Sequence, residues 1–289
     1  MDVGTVLSSK GRLVKERQEE GSIMLEYKKS LNGLQSPERK IFRFIKKGME
    51  PHPYPIRFGS NSETCQIAFP NSPFITDSQC QMEYSEEMNS PVLICTSSVF
   101  PTTLKIQEKK CKLRPGNIVL LGPFHGFSVL ECVNPILVDF TDLGHNWTGS
   151  YEIKQTEFVR QSELKMAVVP VLKISWLCFS PKGVLEDIEG ETQVFTQGET
   201  LKIGNVKSNS YKKAQKVIPS PEISRNQALI SYDKNGGWNI EDLNSRSGTY
   251  LALKNIEQMN KNLASFPMLM QHDQILNIGN HLFRVKTKK

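Results

Sequence analysis

An all-β chain of two tandem β-sandwiches, with a short, partly helical N-terminal extension, is the architecture this sequence predicts. Three observations predict it. Short apolar segments recur with turn residues between them every eight to twelve positions in the C-terminal half, which is the spacing of a sandwich rather than of alternating strand and helix. One pair of segments, Ala228–Tyr232 and Trp238–Leu243, is joined by Asp233-Lys234-Asn235-Gly236-Gly237, and Asn-Gly accepts the positive φ values that a tight hairpin needs. Third, two stretches of the C-terminal half have echoes in the N-terminal half, as a duplicated unit would.

In chain order, residues 1–37 read as an extension that is polar and carries a short helix around Ser22–Leu31. The first 50 residues hold an excess of four basic over acidic side chains, which suits a segment that is mobile alone or docks on a partner. Ser36-Pro37-Glu38 followed by Ile41, Phe42, Phe44 and Ile45 has the look of a capped amphipathic helix. The same stretch, Lys40–Gly48, stands where Lys173–Gly183 stands in the second unit, so it is assigned as a first strand, in keeping with its Ile and Phe content. The echoes are Pro55-Ile56-Arg57-Phe58-Gly59 with Thr200-Leu201-Lys202-Ile203-Gly204, and Asn117–Gly122 with Gln274–Gly279. The two units are placed at 38–134 and 169–289, with 135–168 as the linker. Strands of the second unit are expected at Leu172–Ser180, Thr192–Thr196, Glu199–Ile203, Gln274–Ile278 and His281–Lys286.

Composition narrows the function classes. Of 289 residues, 38% are apolar and 23% charged, with a net charge of +6, which supports packed cores and excludes a disordered, collagen-like or polybasic chain. No apolar run in the first 25 residues suits a secretory signal, and the longest apolar stretch, Met166–Leu172, is short and contains Pro170. The chain therefore reads as soluble and intracellular, in the nucleus or in the cytoplasm and cytoskeleton, with no membrane partner. The six cysteines form no C-x-x-C pair and no zinc-finger spacing with histidine, so they read as buried thiols of a reducing compartment, with no metal and no cofactor. There is no P-loop, no G-x-G-x-x-G and no G-x-S-x-G, and the five histidines are dispersed. The reading is non-enzymatic.

The second unit resembles the forkhead-associated (FHA) domain. The stretches that carry the resemblance are Leu201–Gly204, Ile223-Ser224-Arg225-Asn226-Gln227-Ala228, Trp238–Tyr250 with its Asp242-Leu243-Asn244-Ser245-Arg246-Ser247-Gly248-Thr249, and Asp273–Gly279. The resemblance implies a sandwich of eleven strands that reads phosphothreonine with loops at one end. A phosphorylated threonine carries about −1.5 to −2 charge and three acceptor oxygens. A rigid scaffold that fixes an arginine fork and a hydroxyl loses little ordering entropy on binding it.

By the resemblance, Ser224 and Arg225 are the phosphate-binding pair. Asn205 stands where the family usually has a second arginine, Gln227 where it has a bracing histidine, and Ser247 where it has a peptide-gripping asparagine. Lys207, Lys212, Lys213 and Lys216 lie between Gly204 and the Ser-Arg loop with no acid among them. They are candidates to replace the lost guanidinium. In the first unit Asp77 occupies the arginine position, which reverses the charge, so no phosphothreonine binding is expected there. The expected function is an adaptor that binds a phosphothreonine-containing partner. The alternatives are a phosphate-independent subunit of a larger assembly and, in a different class, nucleic-acid association through the N-terminal extension, the lysine loop and the basic tail.

Overall fold

The computed structural model describes residues 23–31, 41–44, 55–97, 99–107, 110–133, 170–179, 185–196, 198–205, 214–234 and 237–287. Its elements are nearly all strands. The N-terminal half carries β1 (Ile23–Ser30), β2 (Ile41–Phe44), β3 (Ile56–Gly59), β4 (Ile67–Ala68) and β5 (Cys80–Ser85). It continues with β6 (Ser90–Cys95), β7 (Thr103–Lys105), β8 (Cys111–Lys112), β9 (Ile118–Leu121) and β10 (His125–Val133). The C-terminal half carries β11 (Val171–Phe179), β12 (Leu185–Thr196), β13 (Thr200–Gly204), β14 (Ala214–Val217), β15 (Ala228–Asp233) and β16 (Gly237–Asp242). After these come β17 (Thr249–Ala252), the helix α1 (Ile256–Asn260), β18 (Met268–Leu269), β19 (Ile275–Ile278) and β20 (His281–Thr287).

Two sequence expectations are corrected at the N-terminus. Ile23–Ser30 is a strand, not a helix, and pairs antiparallel with both β2 and β20. Ile23 and Leu25 point into a core while Met24 and Glu26 are only half-buried, and this period of two is the strand pattern. The stretch around Ile41–Phe44 is a strand as expected, but it is the second of its unit, since β1 precedes it.

Strand pairing crosses the boundaries that the sequence suggests. One sheet has ten strands, in the order β12-β11-β10-β9-β17-β7-β19-β20-β1-β2. Two sheets of five, β14-β13-β15-β16-β8 and β18-β6-β5-β3-β4, complete the architecture. The last strands of each half are thus exchanged. Strands β8, β9 and β10 of the N-terminal half join β11–β17, and β18, β19 and β20 of the C-terminal half join β1–β7.

The cores follow the exchange. One contains Val119, Leu121, Phe127 and Val129 packed with Trp176, Leu201, Ile203, Ile230, Trp238 and Ile240. The other contains Leu276, Ile278, Phe283 and Val285 packed with Leu25, Phe58, Cys80, Met82 and Leu93. Both cores lie on one face of the long sheet. Leu104 and Leu251 are directly opposite each other in the β7–β17 pair, and each leans on a different core. Thr103, Ala252 and Tyr250 project from the other face, where Phe74, Phe100, Leu120, Phe179, Leu282 and Met259 of α1 form a third cluster. The exchange costs little because Val119 and Leu121 on one hairpin and Leu276 and Ile278 on the other present the same apolar alternation to the cores.

The hairpin read from Asp233–Gly237 is present, with Asp233 opposite Gly237. The helix α1 was not expected; Asn255 caps it, with a reciprocal bond to Gln258. Among the described residues no helix is long and apolar enough to cross a membrane, and no group of His, Cys, Asp and Glu is placed to hold a metal. The linker 135–168 lies outside the described residues.

Candidate functional site

The candidate site is built on the loops that leave β13, enter β15 and connect β16 to β17. Gly204 ends β13 with its Cα against the Arg225 carbonyl; a Cβ there would overlap that oxygen. Only glycine lets the two loops approach so closely. The Asn205 N–H donates to the Ser224 carbonyl at 3.1 Å, and the Gln227 N–H to the Ile203 carbonyl at 2.8 Å. These two bonds hold the Ser224-Arg225 turn on the end of β13.

Gln227 is the brace. It is fully buried, and its amide serves two loops at once. The Oε1 atom accepts from the Ser224 N–H at 3.0 Å. The Nε2 group donates to the Ser245 Oγ at 2.9 Å and to the Gly248 carbonyl at 2.8 Å. An amide offers both donors and acceptors on one planar group, so it spans the gap for which the resemblance implies an imidazole.

The Ser245-Arg246-Ser247-Gly248-Thr249 turn is tied down from below. Asp242 accepts from the Ser245 N–H at 3.1 Å, the Ser245 Oγ at 2.6 Å and the Thr249 Oγ1 at 2.7 Å. Gly248 has φ +87, and a Cβ on it would press on the Tyr250 hydroxyl at 2.7 Å. That hydroxyl donates to the Ser247 carbonyl at 2.7 Å. Burial, with Asp242 nearby, pushes the Tyr250 phenol well above its usual range, so it remains a donor at any physiological pH.

On this frame Ser224 is half-buried and Arg225 exposed. The Ser224 Oγ accepts from the Arg246 N–H at 2.9 Å, which leaves its own proton for an incoming acceptor. The Arg246 side chain is exposed and reaches back to donate, through Nη2, to the Pro221 carbonyl. Neither guanidinium has a carboxylate partner among the described residues. The side-chain Oδ1 of Asn205 is buried without a hydrogen-bond partner. The arrangement offers a hydroxyl and two guanidinium groups on fixed loops, which is donor chemistry for an anion.

The structure sorts the predicted site residues. It brings Ser224, Arg225 and Asn205 together. Ser247 lies against them but is turned inward: its Oγ donates to the Glu222 carbonyl at 2.6 Å, and only 8% of the residue is exposed. Lys207, Lys212 and Lys213 lie outside the described residues. Lys216 faces elsewhere, with its Nζ 4.7 Å from the centre of the Trp176 ring, and burial lowers its basicity. Arg246 is the residue that sequence reasoning missed. Its signal was a cation inside the Ser-x-x-Gly-Thr turn.

A second missed contribution comes from the other half of the chain. The β9–β10 turn abuts the site: the Gly122 N–H donates to the Gly248 carbonyl at 3.1 Å. Gly122 has φ +69, and a Cβ there would come within 3.1 Å of the Ser247 Oγ. His125 follows, half-buried, its basicity lowered by burial and partly restored by Glu222. The exchanged hairpin is therefore one wall of the site.

The N-terminal half repeats the frame without the chemistry. A Cβ on Gly59 would overlap the Asp77 carbonyl. Gln79, fully buried, accepts from the Thr76 N–H at 3.2 Å and donates to the Phe100 carbonyl at 2.6 Å. Here Asp77 accepts from the Ser60 hydroxyl at 2.9 Å, so the exposed charge is negative. The neighbouring loop is covered by the C-terminal half. The Lys254 ammonium donates to the Thr96 carbonyl at 3.0 Å, and the Ser265 Oγ accepts from the Cys95 N–H at 2.9 Å.

Residues 201–279 match the family model of the FHA domain. No curated protein and no solved structure matches the chain. The C-terminal half thus contains a stretch similar to the FHA domain, a family of phosphothreonine-binding interaction modules. The matched residues run from β13 through β19 and so contribute strands to both sandwiches.

Proposed function

We propose that this protein is a non-enzymatic adaptor whose FHA domain binds a phosphothreonine-containing partner through Ser224, Arg225 and Arg246. The observation that carries the reading is the Gln227-braced contact of the Ser224 Oγ with the Arg246 N–H. With it, a hydroxyl with a free proton sits on loops that also carry Arg225 and Arg246, whose guanidinium groups no acid neutralises among the described residues. Arg246 takes over charge that Asn205 does not supply.

The N-terminal half acts in this reading as a second, degenerate copy of the same sandwich. Asp77 repels phosphate, and the half contributes a wall of the site instead. A phosphate-independent role for that half as a rigid building block is favoured by Lys254 and Ser265, which cover its loop end. A phosphothreonine partner goes with a location inside the cell, in the nucleus or in the cytoplasm and cytoskeleton.

The test is fluorescence anisotropy of the full chain with a phosphothreonine peptide library and its unphosphorylated counterpart. Binding should require phosphate. Ser224→Ala, Arg225→Ala and Arg246→Ala should each weaken it about tenfold to a hundredfold, the worth of one charge-assisted hydrogen bond. Equal binding of the two libraries, unaffected by these substitutions, would leave the phosphate-independent reading in its place. Binding to duplex or single-stranded nucleic acid that falls steeply with salt would transfer the function to that class.

A further inference from the structure

Five Ser-Pro dipeptides occur in the chain, and one of them, Ser220-Pro221, stands in the rim of the candidate site. Ser220 is half-buried between two exposed prolines, Pro219 and Pro221. Its Oγ donates to the Glu222 Oε2 at 2.5 Å, and its carbonyl accepts from the Ile223 N–H at 3.1 Å. The next carbonyl along the chain, that of Pro221, is the one the Arg246 guanidinium reaches. The hydroxyl at 220 is therefore one residue away from an acceptor that already holds a cation of the site. Ser247 fastens the same loop from the other side through the Glu222 carbonyl.

We propose that Ser220 is the acceptor of a proline-directed kinase, and that the phosphate it receives takes the Arg246 guanidinium and closes the site to phosphothreonine. The proposal rests on the reading above, that Arg246 serves phosphate. In the transfer, the terminal phosphoryl group of a nucleoside triphosphate moves to the Ser220 Oγ. The Oγ–H bond and the terminal P–O bond of the phosphoanhydride break, an Oγ–P bond forms, and the proton and the nucleoside diphosphate leave. The product adds about −1.5 to −2 charge and loses the donor that held Glu222. Phosphate and the Glu222 carboxylate repel, so the side chain at 222 swings out. Arg246 exchanges a neutral carbonyl partner for a dianion that its planar fork fits. An incoming phosphothreonine then finds the fork occupied and meets a like charge.

The experiment uses the full chain in unmodified form and with phosphoserine installed at 220, read against the phosphothreonine library. The unmodified chain and Ser220→Ala should bind alike, and the phosphorylated chain at least about tenfold more weakly. Phosphorus NMR gives a second, independent readout. The second ionisation of the phosphoserine should fall below its ordinary value of about 6, and Arg246→Ala should return it there. Tight binding by the phosphorylated chain equal to that of the unmodified chain overturns the switch while leaving the phosphothreonine reading intact. An ordinary phosphoserine ionisation that Arg246→Ala does not move also overturns it. Absence of phosphate-dependent binding by the unmodified chain removes the reading and the switch together. A proline-directed kinase that modifies other Ser-Pro sites of the folded chain but not Ser220 removes the acceptor.

Discussion

Phe127→Ala tests the strand exchange. Phe127 lies in the N-terminal half of the sequence but is fully buried in the core of the C-terminal sandwich. It meets Trp176 edge-on, with ring centres 5.6 Å apart and planes at 70°. Truncating a buried phenylalanine costs about 3–5 kcal/mol, and the aromatic pair places this one near the upper end, at about 5 kcal/mol. That is a large share of the ~5–15 kcal/mol that holds a typical domain. The location of the loss decides the matter more than its size. Hydrogen exchange of the full chain should show protection falling first at Ala228–Asp233 and Gly237–Asp242, the strands that close over Phe127. The fluorescence of Trp176 and Trp238, both in that core, should shift as well. Leu276→Ala is the reciprocal control, with its loss at Ile56–Gly59 and Cys80–Ser85. If Phe127→Ala instead loosens Ile56–Gly59 and Cys80–Ser85 and spares β15 and β16, each half folds on its own strands and the exchange is refuted.

Single residues carry three further tests. His281 is 2% exposed, stacks on Phe69 at 4.9 Å, and neither ring nitrogen has a hydrogen-bond partner. Burial lowers its pKa from 6.5 to about 4. The neutral form is the one that folds, so its stability is complete above pH 6.5 and is lost as pH falls towards 4, by about 3 kcal/mol. Urea melts of wild type and His281→Phe should diverge over that window, and parallel pH slopes would dismiss the assignment. Gln227→Leu strands the Ser224 N–H and takes one of its two donors from the Gly248 carbonyl, which keeps the Gly122 N–H, at a cost of about 2 kcal/mol. Thermal melts should register that loss, and phosphopeptide binding should weaken with it; an unchanged melting temperature would show that the brace is dispensable. Gly204→Ala drives a Cβ into the Arg225 carbonyl, so it should displace the Ser-Arg turn and lower affinity for phosphothreonine peptides. Unaltered affinity would mean that the turn is not positioned by this contact.

Strands were legible where one face is buried and the other wet, because burial then imposes a period of two on the side chains. Leu201 and Ile203 in β13, and Ala228 and Ile230 in β15, show it plainly. Ile23–Ser30 misled because its outer face carries Glu26, Lys28 and Lys29, which are good helix formers, and pairing with β2 and β20 overrode that propensity. The helix α1 carried a capping signal in Asn255 and Gln258, yet at five residues it has no apolar period to notice.

The frame of the candidate site was legible for a related reason. Gly204, Gln227, Asp242, Ser245 and Gly248 each satisfy a local geometric demand, and such demands restrict residue type. Arg246 was not, since its own turn constrains only the backbone N–H, and its side chain is held by the Pro221 carbonyl of a different loop. The exchange could not be read at all. The echo of Asn117–Gly122 in Gln274–Gly279 means that either hairpin presents two apolar residues of similar size to either core. Sequence pattern fixes what a hairpin buries, not which of two equivalent cores receives it. That choice falls to the connections: β7 passes to β8 and β17 to β18 across the seam where Leu104 faces Leu251. The candidate site is consequently finished by Gly122 and His125 from the opposite half. A candidate site that the sequence places within the C-terminal residues is, in the folded chain, a property of both halves.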